Sequence, residues 1–166
     1  KGTEISTNKF IEVNAGYGGA VYVEGVDTKI ITALFNRTLA TYDGGAVYLA
    51  GINTTVFNST FRFNNATRGG AVFIEGNESL IESSFSYCFS VNNGVPSVSS
   101  AGGAIYISGN DNEVRNSDFN LTNAVGGNGG AIYVAGNDNV IYNISTNTTI
   151  AIRNGPGDKG SGGAIY

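Results

Sequence analysis

Apolar residues in this chain fall in short alternating runs, and no 3.6-residue stripe survives across them. Five triplets carry the pattern most clearly: Val21-Tyr22-Val23, Val47-Tyr48-Leu49, Val72-Phe73-Ile74, Ile105-Tyr106-Ile107 and Ile132-Tyr133-Val134. Each is β-branched or aliphatic at its ends with an aromatic between, which suits a strand and not a helix. The string Gly-Gly-Ala precedes every triplet, at Gly18, Gly44, Gly69, Gly102 and Gly129, and recurs at Gly162, with spacings of 26, 25, 33, 27 and 33 residues. A fixed period of this length marks a solenoid, whose units bury their faces only by stacking on one another.

A second mark follows in each unit. An aliphatic stands at Ile30, Val56, Leu80, Val114 and Val140; five residues on come Phe35, Phe61, Phe85, Phe119 and Ser145. Five further on sits a mostly small residue, at Ala40, Ala66, Ser90, Ala124 and Ile150, and Ile5, Phe10 and Ala15 keep the same register at the amino end. Propeller blades need about 40 residues each, and hairpins need a tight turn between neighbours in sequence; the chain has neither. Pairing each strand with its equivalent one period on is parallel, and the crossover rule sets the hand. The expected fold is therefore all-β, a right-handed parallel β-helix with three short strands per coil and about six coils. Residues 1–166 read as one module, expected to be a segment of a longer repeat array, because the chain opens on the second strand of a coil and stops after the first.

Period-two alternation assigns the faces. In the first strand Val21 and Val23 and their equivalents point in. Tyr22, Tyr48, Phe73, Tyr106, Tyr133 and Tyr166 then point out, one per coil and about 4.8 Å apart, as an exposed aromatic ladder. In the second strand the Phe row and the row Ala33, Ser59, Ser83, Ser117 and Asn143 point in, while Thr32, Asn58, Glu82 and Asn116 point out. Gly25, Gly51, Gly76, Gly109 and Gly136, each followed by a turn and twice by Asn-Asp-Asn, mark a sharp corner. Two inserts, Val91 to Ala101 and Ala151 to Ser161, leave at the third corner.

Composition narrows the chemistry. Of 166 residues only 13% are charged, the net charge is −4, and His, Met and Trp are absent. With no basic patch, nucleic acid is not an expected partner. No apolar run approaches the roughly 18 residues of a membrane-spanning helix, so direct membrane insertion is not expected either. Cys88 stands alone, three residues after Phe85 where other coils have Thr38, Asn64, Thr122 and Thr148, and reads as a small corner filler. Asn-X-Ser/Thr sequons at Asn36, Asn53, Asn58, Asn65, Asn77, Asn120, Asn143 and Asn147 are candidate glycosylation sites and lean toward an extracellular location.

With the Gly-Gly-Ala-Ile-Tyr strings, the Phe row and the Asn-rich turns in hand, the chain resembles the adhesin-like surface proteins of methanogenic archaea, and more distantly the repeats of chlamydial polymorphic outer membrane proteins. Phe61 to Asn64 is the clean match to the second motif of the latter; Phe85 and Phe119 are followed by other residues. The resemblance covers nearly the whole chain. It implies a β-helix at the cell surface that attaches to a polysaccharide or to a surface protein of another cell.

Candidate sites are few. The ladder residues Tyr22, Tyr48, Phe73, Tyr106 and Tyr133 offer flat faces for sugar rings or a partner surface, or simply stiffen the sheet by self-stacking. Loop residues Pro96, Arg153, Asp158 and Lys159 are free to vary and so suit recognition. Carboxylates are the only catalytic candidates. Glu82 and Asp118 on adjacent coils, with Arg115 beside them, would form the site of a carbohydrate-active lyase or hydrolase, the alternative to a non-enzymatic adhesin-like module. At the first corner Asp111 and Asp138, with Glu78 one coil earlier, could hold Ca²⁺ among Asn carbonyls, although turn geometry accounts for them equally. No cofactor is otherwise called for.

Overall fold

A computed structural model describes residues 2–95, 98–152 and 160–166 of the chain. It is a parallel β-helix: among the described residues there are nineteen short strands and no helix, in three sheets whose pairings are all parallel and join equivalent strands of successive coils. The first sheet stacks Val21–Val23, Val47–Leu49, Val72–Ile74, Ile105–Ile107 and Ile132–Val134. The second runs through Lys29–Ile31, Thr55–Arg62, Leu80–Ser86, Glu113–Asn120 and Val140–Asn147. The third stacks Asn14–Ala15, Leu39–Ala40, Asn65–Ala66, Phe89–Val91, Asn123–Val125 and Ile150–Ile152.

The alternation resolves into rows of like side chains. Val47, Val72, Ile105 and Ile132 are fully buried, as are Leu49, Ile74 and Ile107. Phe10, Phe35, Phe61, Phe85 and Phe119 form one internal stack, with centroids 4.8–5.0 Å apart and rings within 9° of parallel. The Gly-Gly pair has a separate cause at each position. The first glycine has φ between 49° and 67°, and a Cβ on the second would collide with the carbonyl oxygen of the equivalent glycine one coil on. Coils therefore approach through bare backbone, as in Gly45 N–H to Gly69 O at 3.1 Å.

Every described non-glycine residue with positive φ falls into one of three stacked rows. Asp27, Asn53, Glu78, Asp111 and Asp138 turn the first corner; Glu12, Arg37, Phe63, Tyr87, Leu121 and Thr148 turn the corner between the second and third sheets. Thr7, Thr32, Asn58, Asn116 and Asn143 form a bulge that kinks the second sheet in mid-strand. A bulge leaves a backbone donor without its ladder partner, and here an inward serine supplies one. The N–H groups of Ala33 and Ser59 donate to Oγ of Ser59 and Ser83 at 3.1 and 3.2 Å, and Ser83 N–H, in the coil without a bulge residue, makes the same bond to Ser117 Oγ at 3.1 Å.

The register differs from the sequence expectation in two coils. Ile81 and Ile141, not Leu80 and Val140, continue the row of Ile30, Val56 and Val114. Val140 is 53% exposed. In the last coil Ile144, Thr146 and Ala151 replace the expected Asn143, Ser145 and Ile150. Both errors arise at aliphatic doublets, where either member satisfies hydrophobicity; the length of the first corner, constant in every coil, chooses the second. One consequence is local. From Ile81 to Phe85 the chain is one residue shorter than from Val56 to Phe61, and the register shifts between Glu82 and Ser84. This coil has no bulge residue, and Glu82 moves out of the row of Asn58 and Asn116 to lie opposite Phe57.

Candidate binding faces

The outer face of the first sheet carries the aromatic ladder. Tyr22, Tyr48, Phe73, Tyr106, Tyr133 and Tyr166 stack with centroids 4.8–5.1 Å apart. Exposure varies along it: Tyr22 and Tyr166 are each 50% exposed, Tyr106 and Tyr133 are half-buried, and Tyr48 and Phe73 are buried, at 7% and 3%. The uniformly exposed ladder expected from alternation is thus corrected. Its cover comes from the third corner. Arg68 lies over Phe73 and Tyr106, 4.9 and 5.2 Å from their centroids, and is held there by two 2.7 Å bonds to Asp43. Tyr17 packs edge-on against Tyr48, whose hydroxyl donates to Glu75 at 2.9 Å. Burial, with that bond second, raises the Tyr48 pKa above the ordinary phenol range.

On the second sheet Glu82, Arg115 and Tyr142 occupy one outward row. Arg115 donates to Glu82 at 3.1 Å, to Glu113 at 2.8 Å and to Tyr142 at 3.3 Å, and the Tyr142 hydroxyl donates to Glu113 at 2.8 Å. The Tyr142 bond, followed by that to Glu82, pushes the guanidinium pKa further up. Asp118 lies elsewhere, in register with Ser84 and Ser145. Glu82 and Asp118 do stand outward on adjacent coils, but Asp118 faces Ser84, two residues along, and the missing bulge residue brings Glu82 to Arg115. What the shortened coil creates instead is a notch of about 150 Å³ lined by Phe57, Asn58, Thr60, Glu82, Ser84 and Asn116.

At the first corner Glu78, Asp111 and Asp138 stack as the left-handed turn residues. Among the described residues no three His, Cys, Asp or Glu side chains group as a metal site would need. The flanking asparagines are the structural workers. Asn77 and Asn110 accept from the N–H groups of Asn110 and Asn137 at 2.8 Å, and the buried Asn112 accepts from Ser79 N–H at 2.8 Å.

Pro96, Arg153, Asp158 and Lys159 lie outside the described residues. The first insert is tied down at its near end, where the Asn93 amide donates to Ala40 O and to Asn65 Oδ1 at 3.2 and 2.9 Å. Among the sequon asparagines, the amide nitrogens of Asn53, Asn143 and Asn147 already donate to Asp27, Asn116 and Asn120. Asn58 and Asn36 make no side-chain bond among the described residues. Cys88 is fully buried, and burial pushes its thiol up to about 12.

No family model, curated protein or solved structure matches the chain.

The notch is the feature sequence reasoning missed. Its signal is the spacing of the inward rows in a single coil, four residues from Ile81 to Phe85 against five from Val56 to Phe61, which the doublet Leu80-Ile81 masks. Phe57, which lines the notch, is 43% exposed.

Proposed function

We propose that this chain is a non-enzymatic extracellular module, adhesin-like in role, that presents a rigid outer face for attachment to a surface polysaccharide or a protein of another cell. The observation that carries this reading is what the coils display. Charged residues are few and the coils display chiefly aromatics, amides and hydroxyls, while two of the candidate catalytic residues, Glu82 and Arg115, are joined in an ion pair that also takes in Glu113 and Tyr142. Stacked coils with continuous inner ladders make a stiff support, and such surfaces favour recognition through shape and hydrogen bonds over charge steering. The resemblance to archaeal surface adhesins points the same way.

The test is binding of the purified module to glycan arrays and to intact microbial cells. Saturable binding supports the reading, and its absence on both leaves only a spacer role. Turnover of a polysaccharide that is lost in Glu82→Gln would replace the reading with an enzyme.

A further inference from the structure

The shortened coil opens the second sheet between Asn58 and Asn116. Asn58 and Asn116 are bulge residues two coils apart, and the coil between them has none, so the row Thr32, Asn58, Asn116, Asn143 is interrupted by the width of one residue. The gap is lined by the buried Ser59 and Ser83, by the exposed Ser84, and by Glu82 and Phe57. Several of its polar groups are unspent. Neither the Asn58 side chain nor the Asn116 amide nitrogen has a partner among the described residues, and the only side-chain bond to Glu82 comes from Arg115 through Oε2.

We infer that this notch is a subsite for one pyranose ring of a polysaccharide, a reading that rests on the attachment role proposed above. Three features select that ligand class. A carboxylate oxygen beside two amides and a hydroxyl matches vicinal sugar hydroxyls, which both donate and accept. An exposed aromatic face beside polar side chains suits the C–H face of a sugar ring. A volume of about 150 Å³ is far below the roughly 300–1,000 Å³ of sites that engulf drug-sized ligands, so one ring enters while the chain runs across the sheet. The ion pair with Arg115 offsets the Glu82 charge, which favours a neutral sugar over a cationic one.

The test uses the whole chain, made in a host that does not glycosylate because Asn58 begins a sequon. Neutral oligosaccharides are titrated while amide shifts are followed by NMR. Shifts should centre on Phe57, Glu82, Ser84 and Asn116. Inserting one Asn between Glu82 and Ser83 restores the bulge found in the neighbouring coils and should abolish them. Ser84→Gln, which crowds the notch from an exposed position, should weaken binding at least about tenfold, the scale of one lost hydrogen bond to a charged or well-placed group. Oligosaccharide binding that survives both changes, or shifts that centre on Tyr22 and Tyr166, would overturn the notch while leaving the attachment role standing. Notch binding without attachment to any cell or array would do the reverse.

Discussion

Replacing Phe61 by Leu probes whether the internal aromatic stack, and not burial alone, holds the coils together. Phe61 is fully buried and stacked on both sides, 4.8 Å from Phe35 and 4.8 Å from Phe85. Phe119 is buried to the same degree but stacks only on Phe85, because Thr146 takes its place in the next coil. Leu keeps most of the apolar area, so the transfer loss is similar at both sites. The difference is one ring pair, worth about 0.5–1.5 kcal/mol beyond burial. Phe61→Leu should therefore lower stability by about 1 kcal/mol more than Phe119→Leu in equilibrium urea unfolding followed by far-UV circular dichroism. Equal losses, or a larger one at Phe119, would refute the stacking argument and assign the row to volume filling.

Other outcomes follow from single contacts. Arg68→Ala leaves the buried Asp43 carboxylate unpaired and uncovers Phe73; a loss of about 2–4 kcal/mol is expected by urea unfolding, with Arg68→Lys recovering only part of it. The hydroxyls of Thr54 and Thr122 are buried without partners, so Thr54→Val and Thr122→Val should each be neutral or raise stability by up to about 1 kcal/mol. Cys88 should not react with Ellman's reagent at pH 8 in the native protein and should react fully in denaturant. With its thiol pushed up to about 12 in the folded chain, the native state holds a proton that the unfolded chain releases from about pH 8.5 upward. That contribution is complete below the unfolded value and is lost as pH rises toward 12, visible as a difference in alkaline unfolding between the native chain and Cys88→Ala.

The parts of the fold legible in the sequence are those where only one residue type works. Gly-Gly is forced by a positive φ followed by a backbone approach too close for any Cβ, so the coil count and the first sheet could be read directly. The Phe row was legible for a similar reason, since a ring stack repeats one side chain at a fixed offset. Aliphatic doublets carry no such constraint: Leu80-Ile81 and Val140-Ile141 fit the core with either member, and the choice between them fixed where Glu82 points. The cover on Phe73 was also out of reach, because it depends on Arg68 folding back from another corner onto the ladder, held by a carboxylate 25 residues away in sequence. Likewise the serines beneath the bulge read as small core residues, when their hydroxyls take the backbone donors that the bulge leaves over.

The register across the shortened coil underlies both the Glu82–Arg115 pairing and the notch, and cross-coil amide nuclear Overhauser effects measure it directly. The expected pattern links Glu82 to Phe57 and Arg115, and Ser84 to Thr60 and Asp118. Contacts from Glu82 to Asn58 and Asn116 would restore an unbroken bulge row, close the notch and contradict the account.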